Sequence, residues 1–447
     1  MITNPRELAL TIILDINENN SFSNLTISKQ IPDTISSQDE SFIRELVYGV
    51  LENKTYIDYI LSKASKIKIT KLHPAIRDIL RLGIYQLVFM DRVPQSAAVN
   101  ESVNLAKQYG HKGTVGFANG VLRSIGRDIE NFSKIETKDK SQYLSIKYSH
   151  PEFLVNKWLE EYGYEFTEEL LIANNSKPSM NIRVNTLMIT KENLKKRLEN
   201  TGYTVKEGLY ARDCLIIDKP YRITSLAEFK EGYFTIQDES SMLVGQILNP
   251  KENSLVLDVC SAPGGKSTHI AQLMNNKGKI LARDIYQHKI QLMTSNIERL
   301  GIKIIECSMQ DALEIDESLI GKIDYTLVDA PCSGLGLIRR KPEIKWNRKV
   351  EDIVNLVKLQ SQILQNASKY VKHHGVLIYS TCTILKEENI DVVKEFLSNN
   401  PEFELVPILE EMDYSDNIET LKDGYLQLYP HIHFVDGFFI AKMVKQR

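Results

Sequence analysis

Two cysteines stand where a thiol could act as a nucleophile. Cys332 lies in Asp329-Ala-Pro-Cys-Ser-Gly and Cys382 in Ser380-Thr-Cys-Thr, each just after an apolar, strand-like run (Ile323–Val328 and Gly375–Ser380). A single cysteine in such a place is ordinarily a small core residue. Two at one edge of a sheet, one beside an acid and a proline, are harder to read that way.

A third strand-like run, Ser254–Cys260, leads through Asp258 into Cys260-Ser261-Ala262-Pro263-Gly264-Gly265-Lys266 and then a helical stretch. Glycines between a strand and a helix let the backbone approach a ligand and aim amides at it. The spacing is neither that of a P-loop nor Gly-x-Gly-x-x-Gly. Acids close the following strands: Asp284 after Lys279–Ala282, Asp311 after the next strand region, and Asp329. An acid at the second strand end suits a ribose diol, and Asp311 could bond an adenine amino group. One such Asp could merely cap a helix; several in register fit an adenosyl ligand carrying a sulfonium and an amino acid tail.

Such a ligand and a thiol pair together suit one reaction. Carbon 5 of cytosine is too weakly nucleophilic to attack a methyl sulfonium unaided, but a thiolate added at carbon 6 turns the ring into an enamine. A carboxylate such as Asp329 at the N3/N4 edge would stabilise the activated ring, and the second thiol can help undo the adduct. The residues alone do not say which cysteine attacks. A paired base must first be unstacked, so a loop or flipped cytosine is the expected target.

These residues need elements to hold them. From 254 onward strand-like and helical stretches alternate, with a last strand at Gly437–Val444, which predicts a mostly parallel sheet covered on both faces. Residues 246–447 are therefore expected to form the catalytic domain. Residues 1–130 carry apolar positions at helical spacing (Leu8, Ile12, Ile13, Ile16; Ile79, Leu82, Leu87) and read as a helical bundle. A helix start is expected at Ser41-Phe-Ile-Arg-Glu, and Pro74 in the first turn of another. Residues 131–148, polar and lysine-rich, read as a linker, and 149–245 as a small α/β segment touching RNA.

The net charge of −3 does not mark a nucleic-acid partner, so any such surface must be local. Lys63 to Arg81 holds six Lys/Arg, Lys66 among them, against Asp78 alone; Lys177 to Lys230 holds eleven against six acids. Such runs are ordinarily solvated faces, and alternatively phosphate-contacting surface. In Asn181-Ile-Arg-Val-Asn-Thr, alternation predicts a strand with Arg183 and Asn185 on one face, towards RNA. The stretch after Cys332, Arg339-Arg340-Lys341-Pro-Glu-Ile-Lys-Trp, is a further expected RNA contact. Five scattered cysteines without a Cys-x-x-Cys pair suggest no zinc, no disulfide framework and a reducing cytoplasm. No signal peptide or membrane span is expected, nor any metal.

Asp258-x-Cys-x-Ala-Pro-Gly-Gly-Lys, Asp-Ala-Pro-Cys-Ser-Gly and Ser-Thr-Cys, in this order, resemble the RNA 5-methylcytosine methyltransferase family. Phe229-x-x-Gly232 through Gln237-Asp238-x-Ser240-Ser241 and Asp436-Gly-Phe-Phe-Ile-Ala441 look like its flanking motifs; Ser261 stands where the family often has Ala. Leu46-Val-Tyr-Gly-Val-Leu, Arg81-Leu-Gly-Ile-Tyr-Gln and Asp91-Arg-Val-Pro are similar to a NusB-like RNA-binding domain. The resemblance implies a Rossmann-like S-adenosylmethionine-dependent methyltransferase fold with a mostly parallel seven-stranded sheet, preceded by a NusB-like bundle. It implies Cys382 as nucleophile and Cys332 as the thiol that assists release. It puts the methionine tail of S-adenosyl-L-methionine over Cys260–Lys266, its ribose on Asp284 and further contacts at Asp311 and Asp329, with S-adenosyl-L-homocysteine as product. With the helical domain it implies one cytosine of 16S rRNA, naked or in an early assembly intermediate, as target of a monomer. The same chemistry on tRNA or another RNA, or an RNA-binding factor with a dormant catalytic domain, are the alternatives.

Overall fold

The computed structural model describes residues 4–19, 21–32, 34–412 and 418–446. The chain forms two units, Met1–Ser176 with Ile338–Asn347, and Lys177–Leu337 with Arg348–Arg447.

The first unit begins with helices Pro5–Asn19, Ser23–Gln30, Ser37–Glu52, Lys54–Ala64, Pro74–Phe89, Gln95–Tyr109 and Lys112–Arg127. Leu8, Ile12, Ile13 and Ile16 meet Ile79, Leu82 and Leu87 in one buried cluster. Each such side chain removed from water contributes roughly 1.5–3 kcal/mol. Pro74 opens its helix as expected, its missing N–H being one that a first turn leaves unpaired anyway. The helix expected from Ser41 starts earlier, at Ser37, because the Ser36 side chain accepts from the Asp39 amide.

The expected linker is not one. Residues 131–148 are largely helical, in Ile129–Ser133 and Lys140–Lys147, capped by the side chains of Asp128 and Asp139. Tyr56 and Tyr59 hydroxyls donate to the Ser133 and Lys134 carbonyls (3.0 Å each), and Leu144 is buried. Its polar side chains mostly face solvent, while its backbone is tied to the helical unit and Leu144, Ser141 and Ser145 are buried. Helices Glu152–Tyr162 and Tyr164–Asn174 cluster with this unit, and the strands of the α/β segment expected from 149 follow after Ser176.

The second unit opens with an antiparallel sheet in the order β2-β3-β1-β4, built from β1 (Met180–Val184), β2 (Thr204–Glu207), β3 (Cys214–Asp218) and β4 (Phe234–Ile236). The large sheet follows: β5 (Leu255–Asp258), β6 (Lys279–Asp284), β7 (Ile305–Met309), β8 (Ile323–Asp329), β9 (Val371–Thr381), β10 (Phe403–Leu405), β11 (Tyr425–Leu428) and β12 (Phe438–Lys445). Seven strands run in the order β10-β12-β9-β8-β5-β6-β7, and β11 pairs with β12 off that path. The pairs β9–β8, β8–β5, β5–β6 and β6–β7 are parallel, and β12 is antiparallel to β9. The strand order reverses direction about β5, where open α/β sheets place their ligands beyond the carboxyl ends. Among the described residues, no helix is long and apolar enough to cross a membrane.

Candidate active site

At the end of β5 the chain turns through Val259–Gly264 into helix Gly265–Leu273. Ser261 anchors this loop on the end of β6, its amide and its hydroxyl both donating to the Arg283 carbonyl (2.8 and 2.9 Å). The serine thus adds a bond that an alanine there could not make. The Gly264 amide returns to the Ser261 carbonyl at 2.7 Å, and Gly264 sits at φ +94°, where a side chain would be strained. Asp258 is fully buried, takes the Ser267 hydroxyl at 2.5 Å, and is pushed up to about 7 by burial. Asp284 accepts from the Ala262 amide (3.3 Å) and the Tyr286 amide (3.1 Å), so its carboxylate is tied to the loop. Asp311 lies exposed in the turn after β7, accepting from the Leu313 amide at 2.9 Å.

The register of β8 against β9 sets Asp329 opposite Ser380. Ser380 Oγ donates to Asp329 at 2.9 Å, and Lys266 Nζ reaches its other oxygen at 2.5 Å. Burial works against the Lys266 charge, but Asp329 overcomes it and holds the ammonium above the ordinary lysine range. Beyond these strand ends the sulfurs of Cys332 and Cys382 lie 3.2 Å apart, both partly exposed. The hydrogen bond to Cys382, and then burial, keep the Cys332 thiol well above the usual cysteine range. The Cys332 turn also leans on the last strand. The Gly336 amide donates to the Cys382 carbonyl and the Gly437 amide to the Gly336 carbonyl (3.0 Å each). A Cβ on Gly336 would sit 1.9 Å from the Gly437 oxygen, so this crossing requires glycine.

The RNA contacts expected at Arg183 and Asn185 are corrected by their burial, 1% and 3% exposed. β1 is covered on both faces, so period-two alternation misassigned its polar side chains to solvent. Arg183 instead grips the helix after the β5 loop, donating to the Gly265 carbonyl (2.6 Å), Thr268 Oγ1 (2.9 Å) and Gln237. Asn185 bridges the Gly232 and Leu300 carbonyls at 2.9 and 3.0 Å. Arg183→Met is expected to lower stability by about 1–3 kcal/mol, because it strands buried acceptors. The drop would be read as a lower urea midpoint at unchanged slope. Arg183→Lys should recover only part of it, since one ammonium lacks the fork.

In the stretch after Cys332 the expected RNA contact is corrected at Arg339 alone. Ile338–Asn347 belongs to the helical unit, with Arg339 7% exposed and Arg340 and Lys341 half-buried. Glu343 accepts from the Ser23 amide (2.9 Å), Lys345 donates to the Glu52 carbonyl (2.9 Å), and Trp346 Nε1 to the Leu51 carbonyl (3.0 Å). These anchors were invisible in a run that read as charged loop. Of the basic run, Arg81 is buried on Asp58 and Asp78 (2.7 Å each), Arg77 pairs with Glu18, and Lys63 holds carbonyls. Lys66, Lys68 and Lys71 remain exposed.

Comparison with known proteins follows the same layout. Residues 245–444 match the family model for 16S rRNA methyltransferase RsmB/F, 3–127 the NusB family, and 150–224 the RsmF/B-like ferredoxin-like domain. The chain is 39% identical to the probable ribosomal RNA small subunit methyltransferase B of Bacillus subtilis, covering 99% of each. The chain belongs to the ribosomal RNA small subunit methyltransferase B family. The Shewanella oneidensis member is 32% identical over 99% of each chain. The crystal structure of a methyltransferase homologue from Pyrococcus horikoshii superposes on 69% of this chain and 100% of its own, with 31% identity and a TM-score of 0.61. In this family member the motifs read from the sequence are the segments that meet at the carboxyl ends of β5, β6, β8 and β9. Glu388 and Asn389 gave no comparable signal, because no motif read from the sequence includes them.

Proposed function

We propose that the protein methylates carbon 5 of one cytosine in 16S ribosomal RNA, using S-adenosyl-L-methionine. The observation that carries this reading is the pair of sulfurs 3.2 Å apart, beside the Asp329–Lys266 pair, where two parallel strands end. Their integrity also argues against a dormant catalytic domain.

The residues present fit an adenosyl cofactor. The turn at Gly264 keeps the loop's backbone bare, and Ile285 and Met309, 48% and 61% exposed, leave apolar surface where β6 and β7 end. A flat purine would cover such surface. Cys260 to Lys266 would hold the amino acid tail, Asp284 the ribose diol, and Asp311 and Asp329 further polar edges. When bound, the group supplies an electrophilic methyl on a sulfonium.

The chain's own residues do the rest. Cys382, as thiolate, adds to carbon 6 of the cytosine, and the electron pair moves to carbon 5, which takes the methyl. Asp329 accepts a hydrogen bond from the N4 amino group and so orients the ring, while Lys266 beside it offsets the negative charge that the addition brings. Once carbon 5 loses its proton to water, the ring double bond re-forms and the carbon–sulfur bond breaks. Cys332, the thiol that keeps its proton, hands it to the departing sulfur. RNA approach is electrostatic, through Lys66 and its exposed neighbours Lys68 and Lys71.

Bisulfite sequencing of total RNA from a deletion strain tests chemistry and substrate together. One cytosine of 16S rRNA should be protected in the parent and converted in the deletion strain. A site lost from tRNA instead would move the substrate; no lost site in any RNA would overturn carbon 5 methylation.

A further inference from the structure

We propose that Glu388 and Asn389 form a two-handed clamp, Glu388 positioning Cys332 and Asn389 positioning Cys382. The inference rests on the reading of Cys382 as attacking and Cys332 as releasing thiol.

Both residues are fully buried in the turn after β9, and neither touches a sulfur by any contact described above. Glu388 works on the flanks of Cys332. One carboxylate oxygen accepts from the Ser333 amide (2.8 Å) and from Gln360 Nε2 (3.0 Å); the other accepts from the Ser333 hydroxyl. Gln360 Nε2 in turn donates to the Pro331 carbonyl at 3.0 Å. The residues before and after Cys332 are thus both held through one carboxylate. Three donors converge on it, and an acceptor-only group is what they require. Asn389 does the same for Cys382: its carbonyl oxygen accepts from Thr381 Oγ1 (2.5 Å) and its amide donates to the Thr383 carbonyl (3.0 Å). Ser333 Oγ and Thr383 Oγ1 close the arrangement at 2.9 Å, joining the residue after one cysteine to the residue after the other. The Tyr379 hydroxyl fixes the clamp's own backbone through the Glu388 carbonyl at 2.6 Å. Two sulfurs set at a fixed separation need their turns held from behind, and these side chains supply such ties beside the Gly336 crossing.

The two hands predict two different failures. In full-length Glu388→Ala, methyl transfer in the first turnover should persist, while steady-state turnover falls by about 100-fold, the cost of a misplaced reacting group. Covalent protein–RNA species should then accumulate on a denaturing gel. In Asn389→Ala the first turnover itself should fall by about 100-fold, with no covalent species. Glu388→Gln, which keeps one acceptor, should recover part of the turnover. A merely structural role would make the two variants alike, and that outcome, or normal turnover in either, would overturn the clamp. Should Glu388→Ala fail to fold, Ser333→Ala removes the hydroxyl arm alone and should show the same accumulation in milder form. Cys332→Ala serves as reference. Accumulation there without accumulation in the Glu388 and Ser333 variants sinks the clamp by itself; its absence in Cys332→Ala sinks the release reading, and this inference with it.

Discussion

Cys382→Ala should lose methyl transfer by about 10⁴-fold or more, the scale on which removal of a covalent nucleophile is felt, while S-adenosyl-L-methionine still binds. The sulfur is partly exposed and lies 3.2 Å from that of Cys332, so truncation removes a small, partly solvated group. The loop proposed to hold the cofactor follows β5, whereas Cys382 follows β9, with β8 between them. None of the bonds that fix the loop, from Ser261, Gly264, Asp284 or Arg183, passes through Cys382. Lys266 is a cation whose charge is supported by both Asp329 and Cys382. Measuring labelled methyl incorporation next to calorimetric cofactor binding separates the two quantities. Normal turnover would remove Cys382 from the chemistry; loss of binding along with turnover would mean that the strand end, not a nucleophile, had been disturbed.

The parts of the fold that were legible are those where one side of an element is buried. The strands β5, β8, β9 and β12 are apolar runs, and the helices of the first unit carry apolar stripes. β7 is an edge strand whose Ile305-Glu-Cys-Ser-Met is mostly exposed, so it carries little apolar signal and could be placed only as a region before Asp311. β10 is three residues long, and β11 lies between a 3-10 turn and a short helix; neither is long enough to show a period. The segment 131–148 failed for a different reason. Its lysines are solvated as composition suggests, but its backbone is helical and held by Tyr56, Tyr59 and Lys63 from elsewhere in the sequence, which composition cannot reveal.

The site divides in the same way. Glycines, strand-end acids and cysteines stand next to one another in the chain, so local spacing revealed them. Arg183, Asn185, Glu343 and Lys345 are charged or polar residues whose partners lie elsewhere in the sequence. Read locally, a positive residue points outward; buried, each of these is instead a tie between elements. Which thiol attacks was open from the residues alone. The 3.2 Å separation and the elevated Cys332 thiol supply a physical asymmetry: one sulfur keeps its proton while the other is next to a cation.

That asymmetry sets the outcome for Cys332→Ala, which should trap the enzyme on its RNA. With alanine there, Cys382 can still add to carbon 6 and the methyl can still be transferred, because neither step uses the second thiol. What is lost is the proton donor beside the departing sulfur. A thiolate leaves less readily than a thiol, and a well-placed acid contributes roughly 10²–10⁴-fold to such a step. The slow step then becomes breakdown of the adduct, so a species of protein plus RNA should persist in denaturing gels and steady-state turnover should fall while the first turnover proceeds. The double variant Cys332→Ala with Cys382→Ala must show no such species, since the bond that traps the RNA is the one Cys382 makes. A shifted band in the double variant would assign the covalent bond to another residue. An unshifted gel for Cys332→Ala alone, with turnover intact, would leave Cys332 as packing beside the nucleophile.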